Sequence, residues 1–104
     1  MKFEVSAIDN FKKESKRLQS KYPSLRNEME VLADELAVNP EMGIPLGQRF
    51  YKIQMAIESK GKRGGARIIT FVKVKAETVF LVPIYDKSEQ SEISIANLQN
   101  LIAV

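Results

Sequence analysis

The run Lys60-Gly61-Lys62-Arg63-Gly64-Gly65-Ala66-Arg67 sets four cations and three glycines in eight residues, and an apolar segment, residues 68–74, follows at once. A glycine-rich turn that feeds a basic residue into the head of a strand holds fixed positive charge over a surface. That charge suits a polyanion, with nucleic acid the first choice. The same residues also read as a soluble Lys/Gly hairpin turn, so the rest of the chain has to decide. The chain contains neither histidine nor cysteine. This removes imidazole acid–base catalysis, Ser-His and Cys-His nucleophile pairs, the usual zinc sites and any disulfide framework. Chemistry here must run on Lys, Arg, Tyr and carboxylates.

The net charge of +3 hides a strong asymmetry. Residues 47–87 hold nine Lys/Arg against three acids, whereas residues 1–46 hold seven against eight. The positive charge is therefore concentrated where strands are predicted, and a binding face could form there. With 44% apolar and 28% charged residues in 104, the composition is that of a globular protein with one domain, 1–104, and one modest core. No apolar run approaches the ~18 residues of a membrane span. No apolar segment follows Met1-Lys2-Phe3-Glu4 as a signal peptide requires, so a cytoplasmic protein is expected.

The elements that must position these cations follow from periodicity. Residues 3–8 alternate as a short strand, and Asp9 offers an N-cap. Ile8, Phe11, Leu18 and Tyr22 form an apolar stripe at helical spacing, with Lys12, Lys13, Lys16 and Arg17 on the solvated side. Tyr22-Pro23-Ser24 breaks that helix. Leu25, Met29, Leu32 and Leu36 mark a second, ended by Asn39-Pro40. Residues 41–48, with Gly43, Pro45 and Gly47, read as a loop. The period then changes to two. In residues 50–57, Tyr51, Ile53, Met55 and Ile57 share one face, and Phe50, Lys52, Gln54 and Ala56 the other. In residues 66–75, Arg67, Ile69, Phe71, Lys73 and Lys75 share a face. Residues 78–85 form a third β-rich run, joined by the turn Lys75-Ala76-Glu77, and Pro83 inside it predicts a bulge or an unpaired stretch. Ser94 caps a short final helix with Ile95, Leu98, Leu101 and Ile102 on its apolar side.

The expected architecture is α+β: an N-terminal strand and a helical hairpin packed on one face of a small, mainly antiparallel sheet, with a short C-terminal helix. The hairpin covers one sheet face. The uncovered face would carry Lys52, Gln54, Arg67, Lys73 and, at its end, Lys87.

This order now meets specific residues: Leu36-Ala37-Val38-Asn39-Pro40-Glu41-Met42-Gly43, then Tyr51-Lys52-Ile53, then Gly64-Gly65-Ala66-Arg67-Ile68-Ile69, then Ile84-Tyr85-Asp86-Lys87-Ser88-Glu89. In order and spacing they resemble the RelE/ParE superfamily of bacterial toxins from type II toxin–antitoxin pairs, on its RelE/HigB-like side. The resemblance implies an mRNA interferase that enters the ribosomal A site and cuts mRNA without a metal or other cofactor. The 2′-hydroxyl attacks the adjacent phosphate and leaves a 2′,3′-cyclic phosphate and a 5′-hydroxyl. Such a reaction needs an acceptor for the 2′-OH proton, a donor for the leaving oxygen and cations for the transition-state charge.

Carried over by position, Lys52 implies a phosphate contact or base, Arg67 the transition-state clamp, and Lys87 an acid or phosphate contact. Tyr85 lies beside them in sequence as a further catalytic candidate. Lys60, Lys62 and Arg63 would grip RNA backbone, with Gln54 and Lys73 on the same face. The chain departs from the family pattern at three positions: Gln54 replaces a second strand lysine, Ser88 an arginine, and Ser94 the late tyrosine that stacks on the substrate base. Cleavage would then rest on Lys52, Arg67 and Lys87, or draw on Glu89. The implied partners are a small DNA-binding antitoxin that occludes the basic face and co-represses the operon, and the ribosome with its mRNA. The alternatives are a ParE-like DNA gyrase inhibitor and a catalytically decayed protein that binds its antitoxin or RNA.

Overall fold

The computed structural model describes residues 2–57, 61–89 and 93–102, with backbone alone for 61–64. The elements run β1 (Glu4–Ala7), α1 (Asp9–Lys21), α2 (Leu25–Val38), β2 (Ile44–Gly47), β3 (Phe50–Ile57), β4 (Gly61–Lys73), β5 (Thr78–Asp86) and α3 (Ile95–Ile102). The five strands lie in the order β1-β5-β4-β3-β2. All neighbours are antiparallel except β1, which runs parallel to β5. This is the expected α+β arrangement, with the expected short C-terminal helix. Among the described residues, no helix is long and apolar enough to cross a membrane.

Helices α1 and α2 form the expected hairpin. Phe11, Ser15 and Leu18 of α1, and Leu25, Leu32 and Leu36 of α2, are buried at helical spacing. Pro23 breaks the helix, and the Leu25 N–H bonds the Tyr22 carbonyl at 3.0 Å across the joint. These side chains pack on Ile53, Met55, Ile68, Val72 and Ile84 to form the main core. Asp9 does not cap α1. Ile8 is the N-cap, without a side-chain hydrogen bond, and Asp9 is the first helical residue. There its carboxylate faces the positive end of the helix dipole.

Residues 41–48 are not all loop. Ile44–Gly47 pairs as an edge strand with β3, Ile44 opposite Lys52 and Pro45 opposite Tyr51. An edge strand tolerates Pro45 because its outward side has no ladder to donate to. The connection to β3 is a two-residue turn, Gln48-Arg49, with φ of 51° and 69°. Positive φ at both positions is the type I′ requirement that Asn-Gly usually meets.

The basic Lys/Gly run is not wholly a loop either, because β4 already starts at Gly61, opposite Ile57. Strand β4 ends at Lys73, two residues short of expectation. A single 3-10 turn, Val74–Ala76, and Glu77 at φ 48° reverse the chain into β5.

The predicted irregularity at Pro83 is present. Ile68 pairs with Ile84 but Thr70 pairs with Leu81, so β5 spends one residue more than β4 over this stretch. That is a β-bulge, and it shifts the side-chain alternation by one. Before it, Val79 faces the helical hairpin and Val82 the opposite side. After it, Ile84 faces the hairpin and Tyr85 the opposite side.

The sheet face away from the hairpin is partly covered. Phe50, Ile69, Val82, Tyr85 and Leu98 are buried there as a second core, with Phe50 and Phe71 rings 5.1 Å apart. This face carries too much apolar surface to stand in water, and α3 is the element that lies over it. Ser94 caps α3 as expected: its Oγ accepts the Asn97 N–H at 3.2 Å and its carbonyl accepts the Leu98 N–H at 3.0 Å.

Candidate functional site

Three strands bring chemistry-bearing side chains to the α3 side of the sheet. On β3, Lys52 shares the parity of Phe50 and so points away from the hairpin. It pairs with Ile69 of β4. Arg67 pairs with Gln54 on one side and with Tyr85 on the other. The Pro83 bulge turns Tyr85 to this face. Strand spacing of ~4.8 Å and a rise of ~3.3 Å per residue put the Lys52 and Tyr85 backbones about 12 Å apart, within converging reach of two long side chains. A cavity of about 140 Å³ lies between them, lined by Leu46, Lys52, Ile69, Tyr85, Ile93 and Ile95. It is an apolar cleft with one ammonium and one phenol.

Arg67 is nearly sealed, with 4% of its surface exposed. Its Nη1 donates to the Ala66 carbonyl at 3.3 Å. The guanidinium therefore lies beneath the surface beside the cleft, where burial strengthens the reach of its positive charge.

Lys87 stands exposed on the turn after β5, outside the cleft. Its backbone N–H bonds the Gly65 carbonyl at 3.1 Å, which ties that turn to the strand bearing Arg67. Gln54 is exposed and lines a different depression, with Glu28 and Glu35 of α2. Lys73 is exposed at the far end of β4, beside Phe71, Phe80 and Asp9. Lys60 lies outside the described residues, as do the side chains of Lys62 and Arg63. Thus Lys52 and Tyr85 share one cleft, Arg67 adjoins it in the ladder, and Lys87, Gln54 and Lys73 stand apart from it.

Glu89 is committed elsewhere. Its carboxylate accepts from Arg17 of α1 at 2.8 and 3.3 Å and lies 3.6 Å from Lys21. The Arg17 hydrogen bond holds the Glu89 carboxyl below its ordinary value, and Arg17 is raised in turn by Glu89 and then Glu14. Asp86 is a buried carboxylate beside the site, bonded to Tyr22 and Ser88. The sequence signal for it is the Asp-x-Ser order directly after a strand, which is an Asx-turn pattern.

A five-stranded, mostly antiparallel sheet with a helical hairpin on one face and a short C-terminal helix on the other is the fold of known RelE toxins. The free state of an E. coli RelE mutant superposes with a TM-score of 0.65 at 18% identity, covering 86% of this chain and 88% of that one. Isolated E. coli RelE gives 0.64 at 17% identity over 95% of both chains. The toxin–antitoxin complex E. coli RelBE gives 0.63 at 20% identity, covering 81% of this chain and 95% of that one. The model for the RelE toxin of the RelE/RelB toxin–antitoxin system matches residues 10–104, and the chain belongs to that family.

Proposed function

We propose that this protein is the toxin of a type II toxin–antitoxin pair and acts as a ribosome-dependent mRNA endonuclease. The observation that carries the reading is the convergence of Lys52, Arg67 and Tyr85 on one sheet face, reached only because the Pro83 bulge reorients Tyr85. In the proposed reaction the Tyr85 hydroxyl orients the 2′-hydroxyl of the substrate ribose. That oxygen attacks the neighbouring phosphorus and its proton passes to solvent. The Lys52 ammonium and the Arg67 guanidinium stabilise the charge gathering on the non-bridging oxygens. The departing 5′ oxygen leaves toward the rim of the cleft, where the Lys87 ammonium, reaching over from the turn seated on Gly65, protonates it. Lys60, Lys62, Arg63, Lys73 and Gln54 are proposed as contacts to RNA that fix register without reading sequence.

The proposed partner is a small DNA-binding antitoxin that covers the cationic face. Membership of a toxin–antitoxin family supports a protein partner, and excess cations in residues 47–87 favour one with acidic segments.

The test is induction of the chain without its partner, with primer-extension mapping of a reporter mRNA on translating and non-translating templates. Cuts confined to the translated template, between bases of the A site, are expected. Growth arrest without cuts moves the reading to a gyrase-type target, and no arrest marks a protein that only binds.

A further inference from the structure

Asp86 is 0% exposed. It follows Tyr85 in β5 and therefore points to the opposite side of the sheet, toward the helical hairpin. Its Oδ1 accepts the Ser88 N–H at 2.9 Å and the Ser88 hydroxyl at 2.7 Å. Its Oδ2 accepts the hydroxyl of Tyr22, the C-cap residue of α1, at 2.8 Å. The Oδ1 bonds close an Asx turn, for which any short acceptor suffices. A turn does not explain the second oxygen. A carboxylate taken fully out of water is costly unless both oxygens are satisfied, and here the second one is satisfied from a helix 64 residues away.

The consequence falls on Lys87. The turn that Asp86 closes carries this lysine, and the Lys87 N–H is seated on Gly65, two residues before Arg67. The Glu89 contacts to Arg17 and Lys21 tie the same turn to α1 from outside, but they are exposed and therefore weak. The buried Asp86 bonds are the ones able to set orientation. We propose that Asp86 is a positioning residue: through Ser88 and Tyr22 it locks the 86–89 turn onto α1 and fixes the Lys87 ammonium relative to Tyr85 and Arg67. This rests on the nuclease reading.

The test is a double-mutant cycle in single-turnover mRNA cleavage on programmed ribosomes. Asp86→Asn keeps an acceptor for Ser88 and the side-chain volume while replacing the oxygen that Tyr22 bonds. Tyr22→Phe removes that hydroxyl alone. Lys87→Ala removes the lysine being positioned and slows cleavage about 100-fold, as loss of a general acid does. Asp86→Asn slows it about tenfold with ribosome affinity unchanged, and Asp86→Asn/Lys87→Ala cleaves no more slowly than Lys87→Ala, because coupled residues do not add. Faster amide exchange at Lys87 in Asp86→Asn, with the melting temperature held, gives the same answer without catalysis.

Losses that multiply in the double variant reduce Asp86 to a stability element and overturn the proposal. If Asp86→Asn does not fold, the cycle of Tyr22→Phe with Lys87→Ala decides by the same criterion. A wild type that cuts while the cycle shows no coupling sinks the positioning role alone. A wild type that never cuts on ribosomes sinks the nuclease reading and this role with it.

Discussion

Tyr85 shows how one backbone irregularity decides what a residue can do. Strict alternation along β5 would place it with Val79 and Leu81 under the helical hairpin, and the bulge at Pro83 sends it to the cleft instead. Strand period sufficed for Lys52 and Arg67, whose strands keep their alternation on either side of the ladder that joins them. It did not suffice for Tyr85, because a proline announces a bulge without saying which neighbour takes the extra residue. Tyr85→Phe keeps the ring packed against Ile69 and Val82 and removes the hydroxyl. Single-turnover cleavage by the folded variant should fall roughly 10- to 100-fold, and a wild-type rate would take the phenol out of the chemistry. Thr70 supplies a second prediction of the opposite sign. Its side chain is 0% exposed, and its Oγ1 has no hydrogen-bond partner among the described residues. Thr70→Val keeps the shape and removes the unsatisfied hydroxyl, so stability should rise by about 1 kcal/mol. A urea midpoint at or below that of the wild type would mean that the hydroxyl is bonded in solution.

Elements set by periodic burial were legible in the sequence, and those set by unusual backbone angles were not. The stripes of α1 and α2, the breaks at Pro23 and Pro40, and the capping serine of α3 each leave a residue-level trace. Strand β2 leaves none, since it is four residues long, holds a proline and a glycine, and is turned by Gln48-Arg49. Its entrance is constrained as well. At Gly43 (φ +105°) a Cβ would lie 2.7 Å from the Lys52 carbonyl oxygen, so the edge strand packs against the backbone of the lysine that lines the cleft. The cover on the second face likewise exceeds what the strand periods show. Phe50, Ile69 and Phe71 were visible on that face, but their demand for α3 appears only when the strands are assembled. Left-handed geometry at a non-glycine residue costs on the order of 1 kcal/mol or more. Arg49→Gly should therefore raise the urea midpoint by the equivalent of about 1 kcal/mol with an unchanged m-value. A lower midpoint would show that the Arg49 side chain contributes more than its backbone strain costs.

At the scale of the whole molecule, cations are in excess over residues 47–87, while charges beside the cleft are paired off. Where α1 meets the turn after β5, on the flank of the cleft that Tyr85 and Ile93 also line, Arg17 and Lys21 are matched to Glu89 across 72 and 68 residues of sequence. That clamp has a defined pH signature. The Glu89 carboxyl is held below the ordinary value of 4.5, first by the Arg17 hydrogen bond. A carboxyl whose folded-state value lies below its unfolded one adds stability above the unfolded value. The contribution fades as pH falls through the folded one. Glu89→Gln should accordingly lower the urea midpoint at neutral pH, and the gap to wild type should close as the solution is acidified from about pH 5 downward. Both partners are more than a third exposed, so the gap is small and molar salt should shrink it further. Urea titrations of the two proteins across that range, at low and high salt, measure it directly. A gap that persists below the carboxylate range, or that ignores salt, would mean that Glu89 supports the turn through packing, beside the buried Asp86–Tyr22 bond, rather than through its charge.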